Sequence, residues 1–413
     1  MTMRPRLNLV VITVLALPVW LPTLGAADDG LPGEQQVAKL IVALGSTAFL
    51  EREQATQSLA AIGEAALPQL RTVSQAADFE VRHRAQLLRE RIEEEKFARL
   101  SQSFLLDLND QNSYGLPAWA TYSDLLGGSR TSKLLFLEML REQPDVARLV
   151  EQANDLPAIS QEQQQLASTA CQQAVEIREN LYSSLVEPQI GDIVGLLLAA
   201  AVLDAPTPVE ISDVIVNNEH RNFGGLIHMQ GYASCLRKLM AAWLPKTHDA
   251  FAPAAMDIAT RHHLPQGADI ARRHLTANFD SDTRKLAFYC LARFGDETDI
   301  PRLLPLLDEN SVVDEFDRVH GRSGIHESNS APPGVVEDAT VDDNFVVRVN
   351  DMALATIMLL SGEDPRPVFA NFEAHPLAGF FVHSLAAPTQ SSVERTEKIE
   401  QWKRRLLPAD AGT

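Results

Sequence analysis

Two stretches of this chain obey one spacing rule, and that rule constrains the fold more than any single motif does. Counting from Arg284, Ala287 lies at +3, Leu291 at +7, Phe294 at +10 and Gly295 at +11, leading into LARFGDETDIPRLLPLL. Counting from Arg52, the same offsets find Ala55, Leu59, Ile62 and Gly63, leading into LAAIGEAALPQLRTV. Residues three, seven and ten positions along share one face of an α-helix. The closing glycine predicts a left-handed residue that stops the helix. An alanine at +3 leaves room for a second helix to approach closely. Pro68 and Pro301 follow the glycines by five and six residues, where the next helix opens and a missing backbone donor costs little.

A third copy is looser: Asn350 takes the place of the arginine, Ala353, Ile357 and Leu360 keep their places, and Gly362 comes one residue late. A second rule overlaps the first. Asp78 precedes Arg82 by four and Ala85 by seven, as Asp280 precedes Arg284 and Ala287. An aspartate there predicts an N-cap that accepts the free amide hydrogens of the first turn.

Apolar positions recur at helical spacing almost everywhere else, and strand-like alternation is confined to fragments such as VVRV. The expected fold class is all-α. With Asp78, Arg82, Ala85, Asp280, Arg284, Ala287, Leu291, Gly295 and Pro301 in place, the chain resembles the HEAT repeat, an antiparallel helix pair that stacks into a solenoid. It also resembles exported bacterial HEAT-repeat proteins of unassigned activity. The resemblance implies a solenoid of HEAT-like helix pairs around an irregular helical middle region. It further implies hydrogen bonds between successive repeats for Asp78, Arg82, Asp280 and Arg284. It covers about Phe49 to Ile92 and Asp280 to Leu307, and Val347 to Leu360 loosely. It departs at Arg89, where a leucine belongs, and after Ile92, where no glycine follows, so that helix is expected to run on.

The expected organisation is a signal peptide over 1–27, a HEAT-like module over 34–100 and an irregular helical domain over 101–245. C-terminal repeats follow over 246–310, then an acidic Gly/Pro loop insertion over 311–346 and a last repeat with its capping helix over 347–408. In that closing helix Trp402 is expected inside and Lys403, Arg404 and Arg405 in water.

The signal rests on Arg4 and Arg6, the 15-residue apolar run from Leu7 to Leu21, and the small residues ending at Ala27. Cleavage near Ala27 would export the chain to the periplasm or beyond. The formal charge of -19 opposes nucleic acid and anionic lipid, whose phosphates need Lys and Arg. The run Ile193 to Leu203 is too short for a bilayer and reads as a buried helix, so no membrane span is expected in the mature chain. Cys171, Cys235 and Cys290 lack any CxxC spacing and read as small buried apolar residues.

Candidate chemistry is sparse. NNEHRNFGGLIHMQG places His220, Arg221, Gly224, Gly225 and His228 in the densest polar patch of the middle region, though such a stretch also serves as a turn before a helix. His320 and His326 lie among the acids of the insertion, where a metal would need convergent geometry that a solvated loop does not supply. His262, His263 and His274 have no ligand spacing. Arg82, Arg89 and Lys96 recur every seven residues, but the glutamates among them predict ion-paired solvation. No nucleophile motif or phosphate loop occurs, and no pattern calls for a cofactor. The expected function is an exported, non-enzymatic helical-repeat protein that binds a protein partner or a cell-envelope component. The alternative is a periplasmic metal-dependent hydrolase built around His220, His228 and the acidic insertion.

Overall fold

Helix-forming periodicity governs the structure, a computed structural model that describes residues 33–73, 78–109, 112–183, 188–219, 231–275, 280–316, 345–388 and 392–406. The expected signal peptide, the His220 to His228 patch, and His320 and His326 of the insertion lie outside the described residues. Two compact units divide between Gln102 and Ser103.

The first unit holds α1 (Glu34–Ala43), α2 (Phe49–Ile62), α3 (Leu67–Thr72) and most of α4 (Phe79–Leu106). Its core gathers Val37, Leu44, Ala55, Leu59, Leu70, Ala85, Leu88 and Ile92. The +3 and +7 positions of the ruler thus point into one apolar cluster, where each large aliphatic side chain contributes about 1.5–3 kcal/mol. Gly63 adopts φ +65°, a conformation open to glycine, and it ends α2. Pro68 sits in the opening turn of α3. With no glycine after Ile92, α4 runs on to Leu106 and reaches 28 residues in all, as the departure from the repeat pattern predicts.

The second unit continues with α5 (Trp119–Leu126), α6 (Arg130–Glu142), α7 (Pro144–Ala153), α8 (Gln161–Tyr182), α9 (Ile190–Val202), α10 (Val209–Asn218) and α11 (Ala233–Trp243). Then come α12 (Ala252–His262), α13 (Gly267–His274), α14 (Ser281–Phe294) and α15 (Ile300–Leu303). The apolar run becomes α9, which buries residues on every side. Gly191 and Gly195, one turn apart, let it press against α6: a Cβ on Gly191 would collide with the Glu138 carbonyl, and one on Gly195 would come within 2.9 Å of Gln143. No described helix is long and apolar enough to cross a membrane.

Strands β1 (Val312–Phe316), β2 (Phe345–Arg348) and β5 (Ala387–Pro388) form an antiparallel sheet ordered β1-β2-β5, and β3 (Ala374–His375) pairs with β4 (Gly379–Phe380). These strands give the VVRV fragment a partner on each side, in a chain otherwise mostly helical as expected. Val312 pairs with Arg348 and Phe316 with Phe345, so both ends of the expected loop insertion are strands. Each fragment is brief, and only pairing across the intervening residues gives its backbone groups partners. From β2 the chain enters α16 (Val349–Leu360), and α17 (Ser392–Leu406) is the last described helix.

The repeated glycines have different causes. Gly295 is not the left-handed residue its spacing predicts, since its φ is -74° and its ψ 174°. It is required by proximity: a Cβ there would lie 2.6 Å from the Leu291 carbonyl oxygen and 2.9 Å from Asp299 Oδ2.

Candidate functional site

The polar residues of the ruler serve the build. Asp280 caps α14, accepting the Thr283 N–H at 2.9 Å and the Thr283 hydroxyl at 2.6 Å, and these bonds hold its carboxyl below the usual range. Asp78 accepts the Glu80 N–H at 2.8 Å in the same way. Arg284, buried at 5 % exposure, forks onto Glu309 with contacts of 2.5 and 2.6 Å. Asn350, which stands at the arginine position of the third copy, reaches the adjacent residue, donating to Asn310 Oδ1 at 2.8 Å. Two copies of the ruler therefore meet at the Glu309–Asn310 turn. The capping aspartates bond within their own helix, and the long-range bond falls to the arginine.

Lysines cap helix ends in the second unit. The Nζ of Lys133, fully buried, donates to the carbonyls of Phe104 and Asp107 where α4 ends, with the Phe104 ring centroid 4.6 Å away. Lys238 donates to Leu126 O at the end of α5. Lys246 donates to Ala201 O and Leu203 O at the end of α9, both at 2.6 Å, and burial lowers its pKa. Each ammonium meets the carbonyls that a helix C-terminus leaves without intrahelical partners. Sequence reasoning missed these caps because no local spacing links lysine and carbonyl.

The described histidines do not converge on one site. His262 packs its Nε2 2.5 Å from Glu219 Oε1, and both side chains are buried. Arg261 adds a contact to Glu219 at 3.0 Å and one to Asp257 at 2.9 Å. His263 is the left-handed residue after α12, and His274 Nδ1 meets Ile270 O at 2.9 Å. Among the described residues no group of three His, Cys, Asp or Glu is placed to hold a metal ion. Cys235 and Cys290 are buried as expected, whereas Cys171 is half-exposed beside Glu210 on α10, and none is in a disulfide. In the closing helix Lys403 is not the solvated residue expected: it is 14 % exposed and pairs with Asp308 and Glu400.

The described residues line several recesses. In the second unit a cavity of about 520 Å³ is lined by Asn154, Asp155, Asp204 and Lys246, but the lysine is committed to α9. A cavity of about 350 Å³ lies between α16 and α17. In the first unit a recess of about 290 Å³ between α3 and α4 is lined by Leu70, Phe79, Arg82, His83, Gln86 and Arg89. Leu70 is its buried floor, while Phe79 stands 70 % exposed, with the His83 ring stacked 5.9 Å away and the Arg82 guanidinium 6.0 Å from its centre.

The basic strip thus divides. Lys96 and Arg99 pair with Glu64 at 2.8 and 3.0 Å, and Arg84 with Glu80 and Glu53 at 2.6 and 2.8 Å. Arg82 and Arg89 also line the recess, where the described lining residues include no carboxylate. Arg89 has Glu93 at 4.0 Å, outside that wall, and Glu93 makes its closer contact to Arg71 at 2.9 Å. Comparison with protein-family models, curated proteins and solved structures gives no match.

Proposed function

We propose that this chain is an exported, non-enzymatic helical-repeat protein of HEAT-like helix pairs, and that its first unit grips an acidic segment of a protein partner or envelope component. The observation that supports this is the α3–α4 recess, where Phe79 offers an apolar face and Arg82, His83 and Arg89 offer positive charge or donors. Guanidinium forks bind carboxylates in paired geometry, and aromatic side chains with arginines are enriched among the residues that carry binding energy. Charge favours the match. Residues 33–102 carry nine Lys and Arg against ten Asp and Glu, while residues 103–413 carry twenty-five against forty-three. The acidity of the whole chain belongs to the second unit, so the first does not repel an acidic segment as the total of -19 suggests. Repeat architectures offer such recesses along stacked helices, which suits this reading.

Fluorescence anisotropy with the purified chain tests it. A labelled acidic peptide bearing one aromatic residue should bind, weaken as salt rises, and lose about tenfold or more in affinity with Arg82→Gln plus Arg89→Gln, a loss of about 1.4 kcal/mol. Equal binding of a matched lysine-rich peptide, or no response to the double substitution, sinks the proposal.

A further inference from the structure

The cavity between α16 and α17 has an apolar wall and a polar end. Leu354, Phe369, Leu385 and Ile399 form the wall, and Asp351 of α16 and Arg395 of α17 form the end. Asp351 is 1 % exposed, and its Oδ2 accepts the Arg348 N–H at 2.8 Å. Its Oδ1 lies 3.1 Å from Arg395 Nε but receives no aligned hydrogen bond. The Arg395 side chain is 10 % exposed, and its Nη2 donates to Val346 O at 3.0 Å. Its Nη1 takes part in neither contact.

A buried carboxylate oxygen without a hydrogen bond is costly to leave so. It persists here at the edge of a cavity of about 350 Å³, within the range that small ligands occupy. The pair also selects charge. An ammonium placed at Oδ1 would meet the Arg395 guanidinium, and a carboxylate placed at Nη1 would meet Asp351. A neutral group that presents a donor beside an acceptor suits both atoms. A peptide amide has that layout, with its N–H for Oδ1, its C=O for Nη1 and the adjoining side chain for the apolar wall. Burial lifts the Asp351 carboxyl to about 6, outweighing the Arg348 N–H and the charge of Arg395.

We propose that this cavity binds a neutral peptide group together with its apolar side chain, as a site separate from the acidic-segment recess of the first unit. The Asp351–Arg395 pair then reads the amide, and α16, α17 and the turn that holds Leu385 enclose the side chain. The charged lining is balanced, with Asp351 and Glu394 against Arg395 and Lys398, and only Asp351 and Arg395 form the buried polar end, while Ala387, also in the lining, sets how much room remains.

Isothermal titration of the purified full chain with N-acetyl-leucinamide provides the test, with N-acetyl-leucine and leucinamide as the charged comparisons. The neutral amide should bind saturably and at least tenfold more tightly than either charged analogue. Arg395→Met should weaken it tenfold or more. Because losing that arginine could loosen α17, Ala387→Leu serves as a second variant: it fills the cavity without touching the ion pair and should abolish binding, with far-UV circular dichroism unchanged. No saturable binding, equal affinity for a charged analogue, or binding that survives Ala387→Leu overturns the proposal. Each outcome is independent of whether the first unit binds acidic peptides.

Discussion

The turn after α2 and the turn after α14 carry the same phrase and hold their shape for different reasons. After α2, Gly63 is needed for a backbone conformation, and no heavy atom lies within 4 Å of where a Cβ would stand. After α14, Gly295 has ordinary extended dihedrals and is needed for space, because Asp299 and the Leu291 carbonyl close around it. The arginines differ likewise. Arg52 donates backward to the Ser46 and Thr47 carbonyls at 2.7 and 3.2 Å, whereas Arg284 is buried and reaches forward to Glu309. A shared spacing fixes helix faces and ends, and leaves open which interaction each repeated offset serves.

The largest expected effect separates the two arginines. Arg284→Ala strips a buried guanidinium from Glu309 and should cost about 3–4 kcal/mol, less than for a fully enclosed pair because Glu309 is 26 % exposed. Arg52→Ala removes a loop tether and should cost about 1 kcal/mol. Urea denaturation of both variants measures the gap. Equal losses would mean that the two copies are held alike, contrary to the structure.

The glycines give the next effect. Gly295→Ala forces a methyl group against a carbonyl and a carboxylate that Arg272 holds with contacts of 2.7 and 3.0 Å, and should cost about 3 kcal/mol. Gly63→Ala carries backbone strain alone, about 1–2 kcal/mol. Double-mutant cycles sharpen the contrast. Gly295→Ala should couple to Asp299→Ala by 0.5 kcal/mol or more, since removing the carboxylate relieves one clash. Gly63→Ala should couple to no neighbouring side chain, and a measurable coupling there would remove the distinction.

What was legible in the sequence follows from the range of each interaction. The buried faces at Ala55, Leu59, Ala287 and Leu291, the caps at Asp78 and Asp280, and the opening prolines are set by residues within a turn or two of one another. Spacing alone reveals them. The reason for Gly295 was not legible because it depends on Asp299, which Arg272 holds from a different helix. Strands β1 and β2 were missed because each is a brief fragment that makes sense only when paired with a distant one. The ion pairing expected of the basic strip is present at Lys96 with Glu64 and at Arg89 with Glu93, whereas the recess that Arg82 and Arg89 line depends on α3, which no spacing within α4 shows. Asp351 and Arg395 lie on helices far apart in the chain, and no local pattern joins them.

The smallest expected effect, and the one that tests the third copy of the ruler, is a dependence on pH. Glu309, which Arg284 hydrogen-bonds, has its carboxyl lowered, so it stabilises the fold above its ordinary value of 4.5 and that contribution is lost as pH falls. Asp351, the residue after Asn350, runs the other way. Burial raises its carboxyl from 3.8 to about 6 although Arg348 and Arg395 both face it. The folded state therefore holds a proton that the unfolded chain has released. Stability from this group is complete below about pH 4 and is lost as pH rises through 6, by at most about 3 kcal/mol. Asp351→Asn should erase that decline, so the stability difference between variant and parent should grow from pH 4 to 6 and then level off. Urea melts across pH 4 to 7 measure it, and the opposing contributions of Glu309 and Asp280 cancel in the difference. Parallel curves would show that Arg395 already compensates the buried carboxylate, which would also remove the need for a ligand donor at its Oδ1.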